Sequence, residues 1–148
     1  MQLAVNIANN MRHEYIMPEH LLMALLRQDD YQTALSRCDV DAMELMNEVT
    51  EWLGKQEQRA DPFAMPMPSA QFSDTLRHAL RYAVEGHYTS LTETAYSAGI
   101  LSLEESQAAY ILGSAVEGDE KFFLDTLEIV FCDETPADNS SIYDSPKQ

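Results

Sequence analysis

Two acid–histidine pairs stand close together near the start of the chain, His13-Glu14 and Glu19-His20, with Arg12 ahead of the first. Imidazoles and carboxylates at this density could form a zinc site. Their spacing argues against it. It departs from the H-E-x-x-H pattern that sets two histidines on one helix face. Pro18 also separates the pairs, and it suits the first position of a helix, where its missing N–H costs nothing. Glu19 then falls in the first helical turn, where the helix dipole favours a negative charge. Leu21, Leu22, Leu25 and Leu26 follow as one broad apolar face edged by Met23 and Ala24. The segment is thus expected to present acids to solvent at one end and to anchor them in a core at the other. That is a binding surface, on which Glu14 and Glu19 would accept charge-assisted hydrogen bonds from a partner's Lys or His. His20 is expected to pack against its helix.

Other residues that could do chemistry are more easily explained by structure. His78 and His87 stand alone. Glu104 and Glu105 diverge as helix neighbours, and a capping box over Ser102-Leu103-Glu104-Glu105 accounts for Glu105. No serine or cysteine has a general base beside it in sequence. No G-x-x-x-x-G-K-[ST] loop occurs to cradle phosphates. Cys38 and Cys132 are isolated thiols without a CxxC pattern, which suits a reducing compartment and no disulfide framework. The expectation is a non-catalytic chain with no cofactor and no metal.

Charge narrows the partners. With 25 acids against 9 Lys and Arg, the net charge of −16 would repel nucleic acid and anionic membranes alike. Basic proteins are the natural complement. No apolar run approaches the roughly 18 residues of a membrane span, and no signal-peptide pattern opens the chain, so a soluble cytoplasmic protein is expected.

These residues must be positioned by helices. The 148 residues include only five glycines and few β-branched runs, which favours an all-α fold. Periodicity places helices at Gln2–Asn10, Pro18–Arg27, Tyr31–Arg37 and Asp41–Lys55, the last opened by a capping box of Asp41 and Glu44. Residues 56–69 contain Pro62, Pro66 and Pro68, cannot hold a helix, and are expected to form a surface linker. Its Met65 and Met67 could bind a partner's apolar groups or fold back to shield the core, and the second is favoured. Helices resume from about Phe72 to Gly86, Thr92 to Leu101, Ser102 through Leu112, and Asp119 to Phe131, with Phe122, Phe123, Leu127 and Val130 facing inwards. Residues 133–148 are expected to be a disordered acidic tail. The order of elements repeats, giving two four-helix units, about 1–55 and about 70–132, packed into one domain spanning 1–132.

This order, with Arg12-His13-Glu14, Glu19-His20-Leu21-Leu22-Met23-Ala24-Leu25-Leu26 and Glu105-Ser106-Gln107-Ala108-Ala109-Tyr110-Ile111-Leu112, resembles the amino-terminal domain of the Clp unfoldases, the Hsp100 family of AAA+ chaperones. The ClpA branch is the most similar. The resemblance implies a double four-helix fold acting as a mobile docking platform on an ATPase ring. In that branch the domain receives the adaptor ClpS, and Glu14, Glu19 and Ser69 match adaptor-contact positions, with Arg12 and His13 beside them. In the ClpC relatives both halves carry the acid and bind phosphorylated arginine. Here Thr94 stands where the second acid would be and Glu93 lies one residue early, so two such sites are not expected. The docking domain of a ClpA-like unfoldase that works with a protease, itself expected to be monomeric, is one functional expectation. A stand-alone regulator competing for adaptors or substrates is the alternative.

Overall fold

The computed structural model describes residues 2–61, 63–87 and 91–133. Among them are eight helices, in two runs of four. The first run is α1 (Gln2–Asn10), α2 (Pro18–Leu26), α3 (Asp29–Arg37) and α4 (Ala42–Gly54). The second is α5 (Ala70–Glu85), α6 (Glu93–Leu101), α7 (Gln107–Ala115) and α8 (Glu120–Asp133). Two short strands, β1 (Tyr15–Ile16) and β2 (Met67–Pro68), pair in parallel. The expected all-α double four-helix architecture is present. The expected acidic tail lies outside the described residues, as does the Cys132 side chain.

Local signals set most boundaries. Asp41 caps α4 by accepting the Met43 N–H at 3.0 Å, Ser69 caps α5 through the Phe72 N–H at 3.0 Å, and Thr92 caps α6 through the Ala95 N–H at 3.2 Å. Helix α1 ends in a Schellman turn. The His13 N–H reaches the Ala8 carbonyl and the Arg12 N–H the Asn9 carbonyl, both at 3.0 Å, with Arg12 in the left-handed region at φ 60°. Asp39 (φ 61°) closes α3 in the same way, with Val40 N–H on Leu35 O at 2.9 Å.

Two details of α6 that weaken it as a helix serve its packing. A Cβ added to Gly99 would sit 2.5 Å from the Thr75 carbonyl oxygen and 3.2 Å from the Ala79 nitrogen, both on α5. Glycine therefore permits a close α5–α6 approach, at a helix-propensity cost of about 1 kcal/mol. Ser97 is fully buried and reaches into the first half, where its Oγ lies 2.6 Å from the Tyr31 hydroxyl. The Ser97 hydroxyl donates to the Glu93 carbonyl at 2.8 Å, so Tyr31 is the donor to Ser97. Burial holds the Tyr31 phenol well above its ordinary pKa. Tyr31 also meets Phe123 of α8 edge-on at 5.9 Å, so one aromatic residue of α3 holds two helices of the other half.

Four expectations need correction. The Asp41–Glu44 capping box is only half made: Asp41 accepts the Met43 N–H, and among the described residues no Glu44 side-chain bond returns to Asp41. The Ser102–Glu105 capping box does not form: Ser102 closes α6, and Ser106 is the N-cap of α7. Phe122 is exposed on α8, because Phe123, Leu127 and Val130 already fill its inward stripe. Met65 and Met67 do not fold back over the core. They stand 65% and 62% exposed.

Candidate docking surface

The turn from Arg12 to Ile16 leaves the Schellman end of α1 and runs into β1. The 56–69 segment returns beside it instead of spanning free space. The Arg59 N–H donates to the Arg12 carbonyl at 2.7 Å, and the Arg59 guanidinium reaches Asn9 Oδ1 at 3.1 Å and the His13 carbonyl at 3.4 Å. Further along, the Met67 N–H donates to the Glu14 carbonyl at 3.0 Å and the Ser69 N–H to the Ile16 carbonyl at 2.9 Å. The register pairs Tyr15 with Met67 and Ile16 with Pro68. This ladder joins the turn carrying Glu14 to the start of α5, where Ser69 sits.

Arg12 and Glu14 are exposed, and Ser69 is half-buried at the helix start. Because the Ser69 oxygen accepts from Phe72, its hydroxyl proton stays available to a partner. Beside Glu14 an open cleft of ≈ 380 Å³ is lined by His13, Glu14, Tyr15, Met17, Lys55, Gln56 and Glu57. It lies next to the end of α4, whose dipole favours a cation.

Two residues expected on this surface are buried. Glu19 is 1% exposed, so the expectation that it faces solvent is corrected. Its Oε2 accepts the Ala108 N–H at 2.8 Å and the Ser106 hydroxyl at 3.1 Å, so it caps α7 from the opposite half. Its Oε1 is buried without a hydrogen-bond partner among the described residues. A carboxylate at the second residue of α2 looks solvent-facing from helix logic alone. Only the abutting start of α7 shows otherwise.

His13 is also buried, at 3%. Its Nδ1 lies 2.8 Å from His20 Nε2, while His20 Nδ1 accepts the Met17 N–H at 2.9 Å. These contacts assign the tautomers: His20 Nε2–H donates to His13 Nδ1, leaving the other His13 nitrogen to donate to the Leu53 carbonyl. Burial, reinforced by His13, pushes His20 down to about 4, and burial also lowers His13. The pair is a neutral structural clamp between the turn and α2. Sequence gave the two rings separate duties, since nothing in the spacing shows that the turn folds His13 back onto the helix. Among the described residues no group of three or more His, Cys, Asp or Glu could hold a metal ion.

In the second half, Thr94 occupies the second position of α6, as Glu19 does in α2, and is itself buried. Glu93 lies one residue earlier, as the sequence predicts. With the Glu19 carboxylate committed to α7, neither half offers an open acid at this position.

Residues 1–115 match the family model described as the Clp repeat (R) N-terminal domain. A "ClpA homolog protein" of Fuscovulum blasticum is 28% identical over 112 residues, covering 74% of this chain. The chain spans only 14% of the length of that relative. Two solved structures share the fold. One, from work titled as structural investigations of a malarial protein secretion system, has TM-score 0.71 and 21% identity, covering 86% of this chain and 88% of that one. The other, the Hsp104 N-terminal domain from Candida albicans, has TM-score 0.70 and 19% identity, covering 97% and 89%. Among the described residues no helix is long and apolar enough to cross a membrane. On the family match across most of its length, this chain belongs to the Clp repeat N-terminal domain family.

Proposed function

We propose that this chain is the adaptor- and substrate-docking domain of a ClpA-like, ATP-dependent unfoldase that works in the cytoplasm with a protease. Its partner at the Glu14 surface would be a ClpS-type adaptor, and its own role non-catalytic. The observation that carries this reading is the β1–β2 ladder. It joins the turn bearing Glu14 to the start of α5, so backbone bonds hold the residue with an exposed acid and the one with an available hydroxyl at fixed positions relative to each other. A carboxylate, a hydroxyl donor and an adjoining cleft suit a partner that offers a lysine or protonated histidine with a neighbouring acceptor.

Glu19 and His13 leave the contact set because they are buried, and Arg12, Glu14 and Ser69 remain in it. Calorimetric titration of the chain with a purified ClpS-type adaptor tests the reading. Saturable binding that Glu14→Lys weakens supports it; no binding by the unaltered chain refutes it.

A further inference from the structure

The adaptor reading uses the backbone of the Met65-Pro66-Met67-Pro68 strap, through the ladder, and leaves its outward side chains unused. Met65 and Met67 point outwards and Pro66 inwards, the alternation of an extended strand. Tyr15, paired with Met67 across the ladder, is 49% exposed, and side chains opposite one another in a ladder share one face of it. The result is an apolar strip continuous with the Glu14 backbone through the Met67 N–H to Glu14 O bond.

The strip is rigid in backbone and adaptable in side chain. Pro66 and Pro68 fix φ on both sides of Met67, and the ladder holds the strap against β1, so little backbone entropy is lost when a partner covers it. Methionine side chains, flexible and polarizable, mould to irregular apolar surfaces. A strap serving only as a connection would gain nothing from two exposed methionines.

We infer that Met65, Met67 and Tyr15 form the apolar half of the docking surface, receiving an apolar side chain of the same basic partner that meets Glu14. The inference rests on the adaptor reading. Charge selects this occupant over others: two copies of a chain carrying −16 repel each other, as does an anionic membrane. A protein with a cation beside an apolar residue is attracted to the acidic chain and matched to the strip.

Methyl NMR of the 148-residue chain with ¹³C-labelled methionine tests this, with a purified ClpS-type adaptor as the probe. The Met65 and Met67 methyls should shift on addition of adaptor, while Met43, also exposed but on α4, stays put. A Met65→Ser, Met67→Ser variant should bind about tenfold more weakly with an unchanged melting temperature, since both side chains are already in water. Adaptor binding with unmoved Met65 and Met67 methyls would overturn the inference and leave the Glu14 reading intact. Absence of binding by the unaltered chain would overturn both. Methyl shifts that depend on the chain's own concentration without adaptor would assign the strip to a second copy, and would also overturn it.

Discussion

The carboxylate of Glu19 accepts the backbone N–H of Ala108 at 2.8 Å, so an acid of the first half caps a helix of the second. Ser106 completes the arrangement, donating its hydroxyl to the same oxygen while accepting the Ala108 N–H at 3.2 Å. An acid near the start of one helix thus satisfies the start of another, where the dipole of α7 also favours negative charge. The two sequence segments that most suggest the family, around Glu19 and around Ser106, are in contact with each other.

Substitution of Glu19 should therefore act on stability before it acts on binding. Glu19→Gln keeps an acceptor for Ala108 and is expected to cost about 1 kcal/mol. Glu19→Ala leaves the N–H with Ser106 alone and should cost about 1–3 kcal/mol. Glu19→Lys buries an unpaired cation and should cost about 3–5 kcal/mol or prevent folding. Urea unfolding of the three variants checks the order; a Glu19→Lys variant as stable as the original would show that the carboxylate is not buried.

The His13–His20 clamp predicts a pH dependence. The folded value of His20, about 4, lies below the ordinary 6.5 that the unfolded chain takes. The unfolded state therefore binds the proton first as the pH falls. Stability from this source is complete above pH 6.5 and is lost as the pH drops towards 4, by at most about 1.4 kcal/mol per pH unit for the ring. The urea midpoint should be level just above neutrality and fall below it, and a His20→Asn variant should show a shallower fall. A midpoint as steep in that variant would remove the histidines as the cause.

At Gly99 two effects oppose each other. Alanine improves helix propensity by about 1 kcal/mol, yet its methyl group would press on the Thr75 carbonyl, a backbone atom that cannot swing aside. Overpacking of this kind costs about 1–3 kcal/mol, so Gly99→Ala is expected to lower the melting temperature in spite of the better helix former. A raised melting temperature would mean that α5 and α6 separate easily.

Much of the helical framework was legible because it depends on local rules. Pro18, Asp41 and Thr92 mark helix starts by chemistry that needs no distant partner, and all three sit at or beside the expected position. Most of the errors occur where a residue far along the chain decides. Ser102-Leu103-Glu104-Glu105 looks like a cap until Glu19 arrives from the other half to favour Ser106. Met65 and Met67 look like a lid until the ladder holds them outwards. Ser97 and Gly99 look like defects until Tyr31 and Thr75 are opposite them. Of the proposed surface, Glu14 could be read from the residues as an acid at a turn and Ser69 only through the family resemblance, and a two-residue strand pair has too little periodicity to announce that they are joined.

The central claim is that Glu14 stands on an adaptor-docking surface, and affinity measured with one altered residue tests it most directly. Titration calorimetry of Glu14→Lys against a ClpS-type adaptor, beside the unaltered chain, should show binding weakened about tenfold or more. The melting temperature should stay within about a degree, because an exposed surface charge contributes little to stability. Unchanged affinity in a folded Glu14→Lys variant would contradict the account.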